Sequence, residues 1–194
     1  MMDKVKVLQI FDFDETIVRV PSYTSNKHVD IQHGFDFETP YEFYDHPISL
    51  CEDSHNIQAI GPVFDAWKAG ENREDYLSIV ITHRVSELEK EVREILENRG
   101  MKFEHIYLLG RKSDKTTTAL ELMRQLPNLV EVKVFEDSIE QIQKYHQVFE
   151  SLNEDPVKFY GIPVCTLSTY IVDKSKMFKI ENIKLSEEQR IKLL

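Results

Sequence analysis

The sequence predicts an α/β protein built on a Rossmann-like parallel sheet with helices on both faces. Three observations predict this fold. Short apolar runs recur along the chain, most of them lack the strict alternation of strands with one solvent-facing side, and amphipathic helical patterns separate them. Strands that helices cover on both faces are apolar at nearly every position, and strand–helix alternation with short connections favours a parallel sheet.

Five apolar runs are the candidate strands. They are Val5–Phe11, Leu77–Ile81, His105–Leu109, Val130–Phe135 and, with a weaker pattern, Val157–Leu167. In an open parallel sheet the carboxyl ends of the strands share one edge, and ligands bind at that edge. The residues that directly follow these runs are therefore the candidates for chemistry.

Three helical patterns lie between and after the later strands. They run from Ser86 to Gly100, from near Asp114 to Pro127, and from Ser138 onward. Two of them open with the spacing of a capping box, in Ser86 and Glu89 and again in Ser138 and Gln141. An earlier apolar segment, from Ile57 to Trp67, predicts a helix that is broken or begun at Gly61-Pro62.

The stretch from Arg19 to Asp53 interrupts the alternation. It is rich in Tyr, Phe, His, Asp and Pro and has no clear period. Loops of this length inside compact domains are usually functional or disordered, and we interpret this one as a small insertion, or cap, over the sheet edge. We expect one domain over residues 1–175, with 19–53 as its cap, and a C-terminal tail over 176–194.

Size and charge limit the possible functions. A chain of 194 residues suits one domain, and its formal net charge of −10 disfavours a nonspecific binder of nucleic acid. An enzyme that acts on a single phosphate is still allowed, because a metal and a few local cations outweigh the global field. The start of the chain resembles no signal peptide, no apolar stretch approaches the ~20 residues of a membrane span, and two distant cysteines predict no disulfide framework. We expect a cytoplasmic protein that binds no membrane.

The motif Phe11-Asp12-Phe13-Asp14-Glu15-Thr16 ends the first strand. Residues i and i+2 of a strand point the same way, so Asp12 and Asp14 should project together. Two adjacent carboxylates repel each other unless a cation lies between them or one is protonated, and their oxygens suit Mg²⁺. A carboxylate beside such a metal can also be a nucleophile. The plainer alternative is a pair of Asp residues that only cap the turn.

Three further strand ends carry polar residues. Thr82-His83-Arg84 follows the second strand, and a hydroxyl at that place can hold a phosphate oxygen. Lys115 opens the helix after the third strand, where the helix dipole disfavours a cation unless an anion is near. Glu136-Asp137 follows the fourth strand, and buried acids there require a cation. Taken singly, each has an ordinary explanation as a strand end, a surface lysine or a helix cap.

The order of these four motifs resembles the haloacid dehalogenase-like (HAD) hydrolase superfamily, over roughly Val5 to Leu152. The resemblance implies that Asp12 is the nucleophile that accepts the phosphoryl group and that Asp14 is the general acid and base. It implies that Thr82 and Lys115 hold the transferring phosphate. Asp137, with Glu136 as the other candidate, would complete the Mg²⁺ shell with Asp12 and the backbone carbonyl of Asp14.

A finer resemblance is to the Swiss-Army-knife RNA-repair-like branch of this superfamily. The first motif and the acidic pair resemble that branch, whereas Val20-Pro21 lacks its Thr and Ser138 replaces its Arg. The resemblance to this branch favours a nucleotide or polynucleotide phosphate as the substrate. We also expect Thr16, His83 and Arg84, which lie beside the motifs, to bind substrate.

Two readings of the whole chain follow. The first is a Mg²⁺-dependent phosphatase that forms an aspartyl-phosphate, and the second is a HAD-fold binding or scaffolding module with little turnover. Within the insertion, a zinc site at Asp45, His46, Cys51 and His55 is a minor alternative, because the spacing matches no standard pattern. The insertion aromatics Tyr23, Phe35, Tyr41 and Phe43 either stack on a base or pack the insertion onto the sheet.

Overall fold

A computed structural model describes residues 2–21, 23, 34–150 and 157–164 of the chain. The strands are β1 (Val7–Phe11), β2 (Val18–Arg19), β3 (Gln58–Ala59), β4 (Tyr76–Thr82), β5 (His105–Leu108), β6 (Glu131–Glu136) and β7 (Lys158–Pro163). The α-helices are α1 (Pro40–Tyr44), α2 (Gly61–Gly70), α3 (Glu89–Asn98), α4 (Lys115–Met123) and α5 (Ile139–Glu150). Short 3₁₀ helices cover Met2–Lys4, Pro47–Leu50 and Ser86–Leu88.

Five strands form a parallel sheet in the order β5-β4-β1-β6-β7. From β1 the chain first adds β4 and β5 on one side, and it then returns to add β6 and β7 on the other. The order therefore reverses between β1 and β6, and in open α/β sheets ligands bind in the crevice at such a reversal. The predicted α/β class with a Rossmann-like parallel sheet is confirmed.

The core has two parts, one on each face of the sheet. On one face the buried side chains of α2 and α3, which include Val63, Trp67, Val92 and Ile95, pack against Phe11 and other strand residues. On the other face α4 and α5 contribute Ala119, Leu122 and Tyr145 to a cluster with Leu8, Ile10 and their strand neighbours. β1 is buried at all five positions, which explains why four of its residues are apolar. The polar one, Gln9, donates to Ala66 O and accepts from the Ser78 hydroxyl.

The predicted strands agree with the structure to within two residues wherever they can be compared. β1 begins at Val7 rather than Val5, since the backbone N–H groups of Lys6 and Val7 both bond to Asp75 O before the ladder starts. The last run forms β7 over Lys158–Pro163, and its predicted end at 165–167 lies outside the described residues.

The helix ends were predicted less well. The capping box at Ser86 and Glu89 is wrong: Ser86–Leu88 is a 3₁₀ turn, α3 starts only at Glu89, and the Ser86 hydroxyl donates to Glu87 instead. The helix predicted from Asp114 to Pro127 ends at Met123. Arg124 N–H still bonds four residues back, to Leu120 O, but the N–H groups of Gln125 and Leu126 bond three residues back. Half of the last capping box is present, since Gln141 N–H donates to Ser138 Oγ over 3.2 Å.

The insertion is partly described. It contains β2, α1 and the 3₁₀ helix Pro47–Leu50, while residues 22 and 24–33 lie outside the described part. β2 pairs antiparallel with β3, and α2 begins at Gly61, so Ile57–Ile60 is not helical. The C-terminal tail over 176–194 also lies outside the described part, and the division into domain, cap and tail stays a prediction. No helix in the described ranges combines the length and apolar character needed to cross a membrane.

Candidate active site

Asp12 lies at the crevice between β1 and β6. Its backbone N–H donates to Phe135 O over 3.0 Å, which continues the β1–β6 pairing by one residue beyond the strand. The side chain is buried, with 6% of the residue exposed. Because both neighbouring strands are held by parallel ladders, the position of this carboxylate follows from the sheet itself.

A tight turn follows Asp12 and sets the direction of Asp14. Glu15 has φ of 56°, in the left-handed region, its N–H donates to Val18 O over 2.8 Å, and its carboxylate accepts the N–H of Val20 over 3.1 Å. A left-handed conformation costs a residue with a side chain about 1 kcal/mol or more. The hydrogen bonds of Glu15 offset part of this cost and fix the turn that carries Asp14.

Lys115 joins the two acidic strand ends. It is the first residue of α4, whose N-terminus is capped by the Asp114 carboxylate accepting from Thr116 N–H over 3.1 Å. The Lys115 ammonium donates to Asp12 Oδ1 over 2.7 Å and to Glu136 Oε2 over 2.8 Å, and the residue is 4% exposed. The local anionic partner that its place at a helix start required is therefore a pair of carboxylates.

Burial and mutual repulsion shift the pKa values of this group. Burial raises the pKa of Asp12 to about 6, with added repulsion from Asp14 and Asp137 and opposed by Lys115. Burial and the charge of Asp12 raise the pKa of Glu136 to about 9. Burial alone would lower the pKa of Lys115, but Asp12 and Glu136 together raise it. The carboxylates thus exceed the one cation among them, a situation that a further cation relieves.

Three carboxylates lie close enough to share a metal ion. Asp12, Glu136 and Asp137 each offer an oxygen within 4.8 Å of the others. A set of hard oxygens that repel one another fits Mg²⁺. Glu136 already accepts from Lys115 through Oε2 and from Ser138 N–H through Oε1 over 3.4 Å, whereas Asp137 is exposed. Asp12 and Asp137 therefore fit the role of ligands better than Glu136 does.

Arg84 binds Asp14 rather than facing solvent. Its Nε lies 3.1 and 2.9 Å from the two Asp14 carboxylate oxygens, and its Nη2 lies 2.7 Å from Asp14 Oδ1. Its Nη1 donates to Ser49 Oγ over 2.7 Å and to the carbonyl of Tyr44. The predicted substrate-binding role of Arg84 stays a prediction, but the described contacts use four of the five N–H groups that a guanidinium has.

The other predicted site residues lie at the same edge in different environments. Thr82 is buried, and its Oγ1 accepts the backbone N–H of Arg84 over 3.2 Å. Thr16 is buried, and its hydroxyl lies 3.4 Å from Asp12 Oδ2. His83 is exposed overall, and partial desolvation of its ring together with the charge of Lys115 lowers its pKa. Of the three residues predicted to bind substrate, His83 is thus the exposed one.

The insertion aromatics divide into packed and exposed residues. Phe43 is fully buried, and Tyr23 and Phe37 pack against its ring. Tyr41 is 65% exposed, and the guanidinium of Arg111 lies 3.7 Å from its ring centroid.

The residues of the alternative zinc site have other partners. Asp45 pairs with Arg111 over 3.0 Å, and His46 Nδ1 accepts Ile48 N–H over 3.2 Å. Within the described ranges, the side chains that gather closely enough to hold a metal are the carboxylates of Asp12, Glu136 and Asp137. The structure therefore gives the zinc alternative no support.

Sequence reasoning missed three residues around the site. Ser49 and the Tyr44 carbonyl hold Arg84, yet they lie in a segment without any periodic pattern. Tyr145 of α5 is buried, its hydroxyl has no hydrogen-bond partner among the described residues, and its pKa is raised by burial and by Glu136 and Asp12. It occupies an ordinary core position of an amphipathic helix, so no signal in the sequence distinguishes it from a packing residue.

Comparison with known proteins identifies the family. A model described as HAD domain family 1 in Swiss Army Knife RNA repair proteins matches residues 61–187. The chain belongs to this family. The match includes Thr82, Lys115, Glu136 and Asp137. It begins after Asp12 and Asp14, so the assignment of the first motif depends on the sequence of that motif and on the geometry described above. The resemblance to HAD hydrolases is thereby confirmed.

Comparison with solved structures gives distant matches. The chain is similar to the HAD domain of the effector protein Lem4 from Legionella pneumophila, with 11% identity, a TM-score of 0.48, and coverage of 84% of this chain and 89% of that one. An inactive mutant of that domain has 12% identity and a TM-score of 0.49, with the same coverage. A chain of the Pnkp1/Rnl/Hen1 complex has 11% identity and a TM-score of 0.49 over 82% of this chain, which spans 47% of that chain. Comparison with curated proteins gives no match.

Proposed function

We propose that this HAD domain is a Mg²⁺-dependent phosphatase that hydrolyses a phosphomonoester through an aspartyl-phosphate on Asp12. One observation carries the proposal. At the crevice of the sheet, a buried lysine neutralises the nucleophile candidate and a neighbouring acid while two further carboxylates stand beside them. Phosphoryl transfer requires chiefly positioning and neutralisation of charge, and this arrangement supplies both.

The chemistry follows from the chain's own residues. A pKa of about 6 leaves most of Asp12 ionised at neutral pH, as a nucleophile requires. An Asp12 oxygen forms a bond to phosphorus while the ester P–O bond breaks, and the leaving oxygen takes a proton from Asp14. Asp14 then accepts a proton from the water that attacks phosphorus, which releases inorganic phosphate and restores Asp12. Thr82 and Lys115 bind the phosphoryl oxygens.

Asp12, Asp137 and the backbone carbonyl of Asp14 would hold Mg²⁺. The ion would neutralise the phosphate and reduce the repulsion between the carboxylates. Glu136 would act mainly as the partner of Lys115.

For the substrate we propose a nucleotide or a phosphorylated polynucleotide end. The family description names RNA repair proteins. In the described part of the insertion the ring of Tyr41 is exposed and could stack on a base, and the guanidinium of Arg111 packs against that ring. Arg111 follows β5, two strands from β1. Strands lie about 4.8 Å apart, so the two strand ends are separated by about 10 Å, a span that suits a base held beside its own phosphate.

The test is a phosphatase panel with and without Mg²⁺. It should contain p-nitrophenyl phosphate, mononucleotides, sugar phosphates, and oligonucleotides with 5′- or 3′-phosphate. We expect Mg²⁺-dependent release of phosphate that is lost in Asp12→Asn. Metal-independent turnover by Asp12→Asn would contradict the mechanism.

The binding-module alternative has its own readout. Beryllofluoride mimics a phosphorylated Asp, and it should raise the melting temperature of the phosphatase only when Mg²⁺ is present. A protein without turnover that beryllofluoride also fails to stabilise would favour the binding module.

A further inference from the structure

The buried side chain of Arg84 links the insertion to the catalytic group Asp14. Arg84 is 3% exposed and lies between Asp14 on one side and the insertion residues Tyr44 and Ser49 on the other. We propose that Arg84 is a positioning residue, and that the segment 44–49 of the insertion holds it so that Asp14 faces the reacting phosphate. This inference rests on the proposed phosphatase function and assigns the insertion a role in catalysis.

The geometry on the Asp14 side defines one orientation. Nε and Nη2 of Arg84 contact both carboxylate oxygens of Asp14, as in the planar fork that arginine forms with carboxylates. The side chain of Asp14 is 30% exposed, so without Arg84 it could adopt several rotamers. A proton donor must lie within hydrogen-bond reach of the leaving oxygen, which makes a fixed rotamer valuable.

The geometry on the insertion side fixes the arginine. Ser49 is fully buried, donates to His46 O over 2.9 Å and accepts from Arg84 Nη1 over 2.7 Å. The Tyr44 carbonyl accepts from the same nitrogen, and the Tyr44 ring lies 5.2 Å from the guanidinium carbon. Both contacts depend on the fold of the insertion. Lysine, with one compact ammonium group, cannot make the fork and these contacts together.

Leaving-group dependence separates this role from a structural one. An ester of p-nitrophenol needs little help from an acid because its leaving group is stable as an anion, whereas an aliphatic ester needs protonation. kcat/KM reports the step that expels the leaving group, before the aspartyl-phosphate is hydrolysed. A misplaced Asp14 should therefore lower kcat/KM for aliphatic esters much more than for p-nitrophenyl phosphate.

The experiment compares Ser49→Ala and Arg84→Lys with Arg99→Lys on p-nitrophenyl phosphate, adenosine 3′-monophosphate and glycerol 2-phosphate. Arg99 is a matched control, since it also ties the insertion to the core, through Glu52 and Ile57 O, but contacts no site carboxylate. We expect Arg84→Lys to lose about a hundredfold in kcat/KM on the aliphatic esters and less than about tenfold on the aryl ester. Ser49→Ala should show the same bias at smaller size, and Arg99→Lys should show none.

Equal losses on both ester classes, or the same pattern in Arg99→Lys, would overturn the proposal. A second measurement applies even if the wild-type protein hydrolyses none of the three esters, an outcome that would reject the phosphatase function but not the linkage. Ser49 and Asp14 share Arg84 as a partner, so the losses in melting temperature of Ser49→Ala and Asp14→Asn should be non-additive in the double variant. Additive losses would show that Arg84 transmits nothing between them.

Discussion

The ammonium of Lys115 donates to Asp12 Oδ1 over 2.7 Å, across a sequence separation of 103 residues. The same nitrogen lies 2.8 Å from Glu136, so one cation joins the ends of β1 and β6 to the start of α4. Both residues are almost completely buried, and in such surroundings an ion pair is screened little by solvent. The contact therefore serves the structure as well as the proposed chemistry.

Lys115→Ala should lower kcat on every substrate by roughly two to three orders of magnitude, as loss of a preorganised charge does. It should also reduce the free energy of unfolding by about 3 kcal/mol, because the buried carboxylate of Asp12 loses its cation. Steady-state kinetics and urea denaturation measure the two effects. Lys112→Ala, in the exposed loop before α4, is the matched control and should change neither. A Lys115→Ala enzyme with unchanged kcat would remove this residue from the mechanism.

Glu136 should make stability depend on pH. Its pKa is raised from 4.5 to about 9, so the folded state binds the proton more tightly than the unfolded state. The contribution of this proton to the free energy of unfolding is complete below the ordinary pKa of 4.5, and it is lost as the pH rises through the folded-state pKa of about 9. Glu136→Gln should therefore be more stable than wild type at pH 7 by about 2 kcal/mol in EDTA, and the difference should shrink toward pH 4.

Urea denaturation at several pH values measures this difference. A Glu136→Gln variant that is less stable than wild type at both pH values would show that the Lys115 pair outweighs the burial of the carboxylate. Glu131→Gln is a control in the same strand, since its partner Lys133 lies away from the site.

Asp137 should control the affinity for metal. Mg²⁺ that binds only the folded state stabilises it by about 2.7 kcal/mol at a hundred times its Kd. Asp137→Asn should lose most of the Mg²⁺-induced rise in melting temperature, whereas Glu136→Gln should keep most of it, because both oxygens of Glu136 already accept hydrogen bonds. Thermal unfolding across a Mg²⁺ titration distinguishes the two. The reverse result would make Glu136 the ligand.

The strand ends could be predicted because local signals define them. Short, mostly apolar runs marked β1, β4 and β6. The residues that follow these runs, Asp12, Thr82 and Glu136, lie together because the carboxyl ends of parallel strands share one edge of the sheet. Lys115 stood out because its charge is unfavourable at a helix start. These inferences needed only the period of a segment and the chemistry of one residue.

The contacts between the insertion and the site could not be predicted in this way. Arg84 contacts Ser49 and Tyr44 across 35 and 40 residues, and the insertion has no period that would place them. An arginine at a strand end has the same sequence signature whether it faces substrate or a neighbouring carboxylate. Tertiary packing determines which partner the arginine binds, and here the guanidinium of Arg84 binds the carboxylate of Asp14.

Tyr41 should affect nucleotides and spare small esters. If its ring stacks on a base, Tyr41→Ala should raise KM for mononucleotides and oligonucleotides about tenfold, as loss of one stacking contact does. kcat and the hydrolysis of p-nitrophenyl phosphate should change little, and Tyr41→Phe should behave as wild type because it keeps the ring. Val130→Ala removes another exposed apolar side chain, before β6, and should have no effect. An equal rise in KM for p-nitrophenyl phosphate would contradict stacking.

The insertion should divide into a part that selects substrate and a part that supports catalysis. Shortening it between Ser25 and Phe37 should change the preference among substrates and leave slow hydrolysis of a small ester, because a lost remote contact raises KM and spares kcat. The deletion must stop before Phe35 and Phe37, because their rings pack against His46. The carbonyl of His46 accepts from the Ser49 hydroxyl, and that hydroxyl accepts from Arg84, so loss of the two rings would disturb the support of Arg84. A deletion within 26–33 should therefore keep kcat on p-nitrophenyl phosphate, whereas one that also removes Phe35 and Phe37 should lower kcat/KM on aliphatic esters as Ser49→Ala does. Equal damage to all substrates from the shorter deletion, in a protein with an unchanged melting temperature, would show that residues 26–33 themselves supply catalytic groups.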